Sequence, residues 1–157
     1  DSFLLNLKKR NLTNEIVFQI KECNKPFLGI CAGMQILGNI SSEGSEKGLG
    51  LIDFEVTNLK NPISPLCQKV PNVGFREIYG FNKTGIFKNI LENFFFYFTH
   101  SFAFLQMRKK NLNLAYSKHN LPFIAAFQKN NLCGVQFHPE KSQTNGLKIL
   151  SNFLELQ

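Results

Sequence analysis

The sequence predicts an α/β fold, in which helices pack on both faces of a sheet. Three observations support this. The apolar run at 27–30 is too short for a helix, helical spacing of apolar residues begins soon after it, and strand-like and helical segments alternate without an internal repeat. The chain has 157 residues, of which 43% are apolar, so residues 1–157 are expected to form a single domain.

The first two elements are predicted to be short helices. Apolar residues recur at helical spacing within the segments 4–7 and 16–20. Thr13 or Asn14 is expected to cap the second helix, and the stretch 24–26, which contains a proline, is expected to end it.

A strand, a turn and a helix are predicted to meet at Cys31. The run 27–30 follows a proline and has the composition of a buried strand. Helical spacing resumes from Gly33 to Ile40, and the residues of 41–50 are mostly serine, glycine and charged, which is typical of a loop.

The second half of the chain is predicted to be mainly strands, with a helix at its end. The stretch "LIDFEVTNL" has strand composition, and "CQKVPNVGFREIYG" indicates a loop that enters a strand. The aromatic run 94–98 predicts a strand buried on both faces, and 129–131 predicts the turn of a hairpin. The final helix is expected to bury one face, made of Leu147, Leu150, Phe153 and Leu154.

Charge and cysteine usage exclude several classes of protein. The formal charge is +7, but its clusters at 8–10 and 108–110 are short and typical of solvated faces, although an acidic or phosphorylated partner is left open. No apolar run could span a bilayer and no signal peptide is visible, so a cytoplasmic protein is expected. The cysteines have neither zinc nor disulfide spacing and are expected to be reduced thiols: Cys23, Cys31, Cys67 and Cys133.

The stretch "PFLGICAGMQILG" places Cys31 between two glycines, where a strand is predicted to turn into a helix. A nucleophile elbow has this pattern, with cysteine in the serine position. A core strand with a buried structural thiol also fits the stretch. The motif by itself leaves both interpretations open.

The stretch "GVQFHPEKSQ" supplies the groups that an elbow cysteine needs. On an extended backbone, His138 and Glu140 point the same way, and Pro139 ends strand pairing between them. A histidine and a carboxylate in this arrangement suit a general base and its orienting partner. Taken separately, a histidine such as His138 is more often an ordinary surface or core residue than a catalytic one.

Together, "PFLGICAGMQIL" and "GVQFHPEKSQ" resemble the class I (triad) glutamine amidotransferases. The resemblance implies a flavodoxin-like, doubly wound mixed sheet with helices on both faces. It also implies that Cys31, His138 and Glu140 hydrolyse the side-chain amide of glutamine, with the Ala32 amide as an oxyanion donor. Neither a metal nor a cofactor is expected.

The resemblance also implies further site residues. Gln35 and Glu43 are expected to bind the amino-acid head of glutamine, and backbone groups at His100, Ser101 and Phe102 are expected to complete the pocket. Segments that resemble the family's partner interface contain Asn72, Phe75 and Lys141. The family commonly has leucine at the position of Ala32 and tryptophan at that of Phe75.

Within the family, "KGLGLIDFEV", "VPNVGFREI" and "HPEKSQ" resemble the glutaminase subunits of imidazole glycerol phosphate synthases. This implies a HisF-like (β/α)₈-barrel synthase subunit as partner and a role in histidine biosynthesis. Three alternatives remain open: a paralogue that supplies ammonia for sugar amidination, a non-catalytic interaction subunit, and a hydrolase of γ-glutamyl peptides.

The start of the chain carries a further expectation. It begins "DSFLLNLKKRNL", inside an apparent helix and without a methionine. Family members begin with a strand, a helix and a second strand that ends in a Pro-Gly-x-Gly loop, which supplies a second oxyanion donor. The domain is therefore expected to be incomplete at its N-terminus, and residues 1–157 alone are expected to be poorly soluble or partly unfolded and to lack measurable glutaminase activity.

Overall fold

A computed structural model describes residues 2–44, 46–60, 69–90, 94–105 and 112–156. Cys67 and the basic cluster 108–110 lie outside the described residues. The helices within these ranges are α1 (Ser2–Lys9), α2 (Leu12–Lys21), α3 (Ala32–Gln35) and α4 (Gln143–Leu154). The strands are β1 (Phe27–Ile30), β2 (Ile40–Ser41), β3 (Glu55–Asn58), β4 (Asn72–Glu77), β5 (Phe95–His100), β6 (Phe102–Phe104), β7 (Asn113–Lys118), β8 (Pro122–Lys129) and β9 (Leu132–Val135).

The main sheet has the strand order β1-β9-β8-β7. β1 and β9 run parallel with Gly29 opposite Gly134, whereas the β8 pairings with β9 and β7 are antiparallel. Parallel strands place their carboxyl ends at the same edge of a sheet. The residues that follow β1 and β9, Cys31 and Gln136, therefore lie side by side.

Helices cover both faces of the main sheet. One face contributes Cys133 and Val135, together with Phe123, Ala125 and Ala126 of β8, to a core cluster that includes Ile149 of α4. The other face contributes Leu132 and Phe127 to a second cluster, together with residues of α2 and α3. The α/β class and the helices on both faces are thus confirmed.

Two smaller sheets stand beside the main one. β2, β3 and β6 form a three-stranded sheet, and β4 pairs with β5 in an antiparallel ribbon. The burial of β5 alternates: Phe96 and Phe98 are fully buried, whereas Phe95 is exposed. The prediction that 94–98 is buried on both faces is wrong, because only one face of β5 packs into the core and the face that carries Phe95 is exposed.

The buried face of α4 agrees only in part with the predicted one, since Phe153 packs against the core cluster that includes Ile149. Leu147 and Leu154 are 64% and 69% exposed, whereas Gly146, Ile149 and Asn152 are buried. Asn152 can occupy the core side because its amide nitrogen donates to the backbone carbonyls of residues 86 and 88, 2.9 and 2.6 Å away. Hydrophobic spacing could not find this face, since a hydrogen-bonded asparagine replaces an apolar residue there.

The other boundaries agree with the sequence to different degrees. The hairpin is confirmed, since Lys129 pairs with Leu132 across a two-residue turn. α2 begins at Leu12 without a side-chain cap, so Thr13 and Asn14 lie inside its first turn. The helix predicted to reach Ile40 ends at Gln35, and Ile40 belongs to β2. No helix among the described residues is long and apolar enough to cross a membrane.

Candidate active site

Cys31 lies on a strained turn between β1 and α3. Its φ is 51° and its ψ is −109°, in the region of positive φ that few residues other than glycine adopt. Its amide donates to the carbonyl of Val135, 2.8 Å away, and so continues the β1–β9 ladder through the turn. The strain is thereby held in place by the sheet, as a nucleophile elbow requires.

The two glycines of the motif have different roles. A Cβ added at Gly29 would lie 2.5 Å from the carbonyl oxygen of Gly33, so only glycine lets the strand approach the helix this closely. A Cβ at Gly33 would meet nothing within 4 Å, and the φ of Gly33 is not positive. Packing therefore requires glycine at position 29, whereas neither packing nor the backbone angles require it at position 33.

His138 and Glu140 are joined by a hydrogen bond. His138 Nδ1 lies 2.7 Å from Glu140 Oε1, and the amide of His138 donates to the carbonyl of Tyr97 on β5, 2.9 Å away. The two side chains meet because Pro139–Lys141 forms one turn of 3₁₀ helix, and not through alternation along a strand. Partial burial would raise the pKa of Glu140, but the hydrogen bond to His138 and the nearby Lys141 lower this pKa overall.

The surroundings of Cys31 raise the pKa of its thiol. Burial is the largest cause, and the negative charges of Glu140 and Glu43 act in the same direction. Hydrogen bonds from the Ala32 amide and from the side chain of Gln136 oppose the shift. The dipole of α3, which has only four residues, does not reverse this rise in the pKa of Cys31.

A hydrogen bond links the Cys31 sulfur to a side chain that sequence reasoning did not identify. Gln136 Nε2 lies 3.6 Å from Cys31 Sγ. Because Nδ1 of His138 contacts Glu140, Nε2 is the ring nitrogen that remains for the thiol proton. A hydrogen bond between His138 Nε2 and the sulfur stays a prediction.

A cavity of about 140 Å³ adjoins the elbow. Ala32, Gln35 and Glu43, which were predicted to contact substrate, all line it, and the first residues of α1 close one side. An ion pair between Lys8 and Glu46 holds α1 against the loop on the cavity's rim. The cavity is therefore a candidate pocket for glutamine.

The segment 100–102 is bonded to the protein interior. His100 is buried, its Nδ1 lies 2.8 Å from the carbonyl of Phe102, and burial lowers its pKa to about 4. The carbonyl of Ser101 accepts from the amide of Leu59, and that of Phe102 also accepts from Gln35 Nε2. None of these three residues lines the cavity beside Ala32 in the described part of the chain.

The three predicted partner-facing residues are placed differently. Phe75 is 46% exposed on the outer face of the β4–β5 ribbon, and Lys141 lies over the ring of Tyr97 on the same face. Asn72 is fully buried, with its amide nitrogen 3.0 Å from His100 Nε2. Its side chain cannot meet a partner, because alternation along β4 turns residue 72 inward and residue 75 outward.

Comparison with known proteins gives the family. The sequence profile of "Glutamine amidotransferase class-I" matches residues 6–156. The chain belongs to this family. As a class-I glutamine amidotransferase it has the glutaminase chemistry to which the elbow and the His138–Glu140 pair point.

The relatives of this class-I glutamine amidotransferase include subunits of one synthase. It is 41% identical, over 96% of its length, to the imidazole glycerol phosphate synthase subunit HisH of Vibrio parahaemolyticus, and covers 72% of that protein. It is also 41% identical, over 90% of its length, to HisH of Escherichia coli K12, and covers 69% of it.

A solved structure is similar in fold. One subunit of a putative GMP synthase from Thermoplasma acidophilum superimposes with a TM-score of 0.63 at 19% identity. The alignment covers 95% of this chain and 65% of that one. At this identity the likeness concerns the fold alone, and it supports the α/β architecture described above.

Proposed function

We propose that the protein is the glutaminase subunit of an imidazole glycerol phosphate synthase. It hydrolyses glutamine to glutamate and passes ammonia to a HisF-like (β/α)₈-barrel subunit in histidine biosynthesis, and residues 1–157 belong to one amidotransferase domain. The observation that carries the proposal is the strained Cys31 at the same sheet edge as the bonded pair His138 and Glu140. The 41% identity between this protein and two HisH proteins supports the choice of imidazole glycerol phosphate synthase.

The placement of these side chains supports the following reaction sequence. His138 takes the thiol proton, and the Cys31 sulfur attacks the amide carbon of glutamine. The Ala32 amide donates to the oxyanion that forms. Ammonia leaves with a proton from His138, and water activated by the same ring then cleaves the glutamyl thioester to release glutamate. Glu140 holds the ring through Nδ1 and stabilises its protonated form.

Glutamine binding is assigned to the cavity beside the elbow. Glu43 offers a carboxylate for the substrate ammonium, and Gln35 Oε1 accepts from the same head group. The Gln35 amide nitrogen already donates to Phe102 and Gln136, so only its oxygen is left for substrate. Both side chains line one cavity, as a single head group requires.

Partner docking is assigned to the outer face of the β4–β5 ribbon. Val73, Phe75 and Phe95 are exposed apolar side chains on this face, and Lys141 adds a cation at its margin. A mixed apolar and charged surface suits a specific protein interface. The carbonyl of Tyr97 on the same ribbon accepts from the amide of His138, so docking and catalysis share a strand.

The test is the variant Cys31→Ser, combined with the HisF-like subunit. Glutamine-dependent synthesis should fall below detection because the nucleophile is lost, whereas ammonia-dependent synthesis by the partner should be unchanged. The matched control is Cys23→Ser, since Cys23 is an exposed free thiol away from the elbow. Product formation with each nitrogen source is the measurement.

Two results would contradict the proposal. Equal loss of both activities would indicate that Cys31 is structural. Transfer of ammonia to an acceptor other than the imidazole precursor would support the glutaminase activity but contradict the assignment to imidazole glycerol phosphate synthase.

A further inference from the structure

Gln136 is a fully buried polar residue directly after β9. Its backbone amide donates to the carbonyl of Ala125 on β8, which fixes it to the main sheet. Its side chain crosses to the neighbouring elbow, where Nε2 lies 3.6 Å from Cys31 Sγ. A buried amide at this position contacts the atom that reacts.

The orientation of the Gln136 amide is fixed by its neighbour. Gln35 Nε2 donates to Gln136 Oε1, 2.9 Å away, and to the carbonyl of Phe102, 2.8 Å away. Because the oxygen of Gln136 accepts from Gln35, its nitrogen must face the sulfur. Gln136 therefore presents an N–H to Cys31.

The hydrogen bonds continue beyond Gln35 to a cation. His100 Nδ1 donates to the same carbonyl of Phe102, so its Nε2 accepts from Asn72, whose Oδ1 accepts from Arg76 Nε 2.9 Å away. Each group in this chain has one consistent donor or acceptor role. This series of hydrogen bonds holds Gln35 in one orientation, and through Gln35 it holds Gln136.

We propose that Gln136 is a further catalytic residue, whose amide hydrogen bond stabilises the Cys31 thiolate, and that Gln35 positions it. The proposal rests on the proposed role of Cys31 as nucleophile. It assigns to Gln35 a second task beside substrate binding, namely to keep the oxygen of Gln136 away from the sulfur.

The negative charges around the sulfur disfavour the thiolate, so a hydrogen-bond donor beside the sulfur is needed to offset them. Glu43 faces the elbow from the loop after β2 and Glu140 from the 3₁₀ turn, and both act against a second negative charge. The groups that act in the opposite direction, and so favour the thiolate, are the Ala32 amide and Gln136. Hydrogen bonds to a charged group are stronger than neutral ones, so one donor has a measurable effect.

The experiment measures the alkylation of Cys31 by iodoacetamide across a pH series, with peptide mass spectrometry to follow each cysteine separately. Gln136→Met keeps the length of the side chain without a donor, and Gln136→Glu keeps its shape and carries no donor when ionised. Both should slow alkylation at neutral pH by about tenfold or more, because neither supplies the amide N–H that faces the sulfur. The limiting rate at high pH should stay within about twofold.

Two controls accompany the variants. Gln128→Met and Gln128→Glu change a glutamine that bonds to the amide of Ile86, and they should leave the Cys31 profile unchanged. Alkylation of the exposed Cys23 in the same samples should be equal in all proteins. Near-ultraviolet circular dichroism shows whether each variant keeps its native packing. If Gln136→Met loses this packing, the isosteric Gln136→Glu variant is used for the test.

The proposal would be overturned if the pH at which alkylation reaches half its limiting rate stayed unchanged in the variants. An equal loss of rate at every pH would also overturn it, and either result would leave Gln136 with a packing role. Thiol alkylation needs no glutamine turnover, so this outcome is distinguishable from failure of the proposed function, which the Cys31→Ser variant reports.

Discussion

The roles of single residues in this protein depend on the hydrogen-bond partners and the burial that their neighbours provide. His100 is the clearest case: taken without its surroundings it could be a strand-end histidine, but its two ring nitrogens bond to Asn72 and to the carbonyl of Phe102. Burial keeps this ring neutral and lowers its pKa to about 4. A neutral ring is what the chain of hydrogen bonds behind Gln35 requires, because Nε2 must accept.

The neutral state of His100 predicts a loss of stability in acid. In the unfolded chain a histidine titrates near pH 6.5, so between about pH 6.5 and 4 the unfolded state binds a proton that the folded state refuses. Stability is complete above this window and falls as the pH drops through it, by up to about 3 kcal/mol. Urea unfolding at pH 7.5 and 4.5 measures the difference.

The variant His100→Gln tests the assignment. The variant should be less stable than the unsubstituted protein at pH 7.5. Its free energy of unfolding should also differ much less between pH 7.5 and pH 4.5. His119→Gln is the comparison, because burial also lowers the pKa of His119, whose Nδ1 lies 3.1 Å from Arg76 at the far end of these hydrogen bonds and does not contact Phe102 or Asn72 among the hydrogen bonds described. An undiminished pH dependence in His100→Gln would contradict the prediction.

At the scale of elements, α4 supports the turn that carries His138. Ser142, just before α4, donates from Oγ to the carbonyl of His138, 2.6 Å away, and accepts from the amide of Tyr97, 2.9 Å away. One turn further on, Gly146 lies against Pro139. The helix thus packs against the 3₁₀ turn through its least bulky residue.

Gly146→Ala is predicted to displace this turn. The added Cβ would lie 1.9 Å from the carbonyl oxygen of Pro139, so α4 or the turn must move. We expect a loss of about 1–3 kcal/mol in unfolding free energy and a lower kcat for glutamine hydrolysis. Leu147→Ala, on the exposed side of α4, should change stability by less than about 0.5 kcal/mol. Equal behaviour of the two variants in unfolding and turnover assays would refute the assignment.

At the scale of the whole molecule, the open face of the β4–β5 ribbon is set apart from the core. Its exposed aromatic side chains include Phe75 and Phe95, and the ring of Tyr97 lies 5.5 Å from that of Phe75. The opposite face of the same ribbon packs Phe96 and Phe98 into the core. The ribbon therefore links a candidate docking surface to the interior behind the active site.

Phe75→Ser is predicted to weaken binding of the HisF-like subunit. A half-exposed aromatic side chain at the centre of an interface typically contributes tenfold or more to affinity, so Kd should rise by at least that factor. Titration calorimetry measures it, and thermal unfolding of the free protein should be nearly unchanged. Phe18→Ser on α2, where the side chain is similarly exposed, should leave Kd unaltered. Similar Kd values for the two variants would exclude this face as the interface.

Much of the fold and of the site could be predicted because the signals are local. The elbow motif places Cys31 between a strand and a helix, and the hairpin at 129–131 follows from its turn residues. The error at α4 arose because hydrophobic spacing cannot register a buried asparagine whose amide finds carbonyl partners. The partner assignment of Asn72 failed because an inward-facing residue is known only once the strand pairing is known.

The sequence by itself determined the family and the α/β class and predicted the reacting side chains, since these depend on residue types at short spacings. Tertiary structure alone decided which groups meet. The parallel pairing of β1 with β9 brings Gln136 to Cys31 across more than a hundred residues of chain. The 3₁₀ turn joins His138 to Glu140, and burial sets the directions in which the thiol and His100 titrate. Hydrogen bonding and desolvation depend on distances in space, and distance along the chain does not encode them.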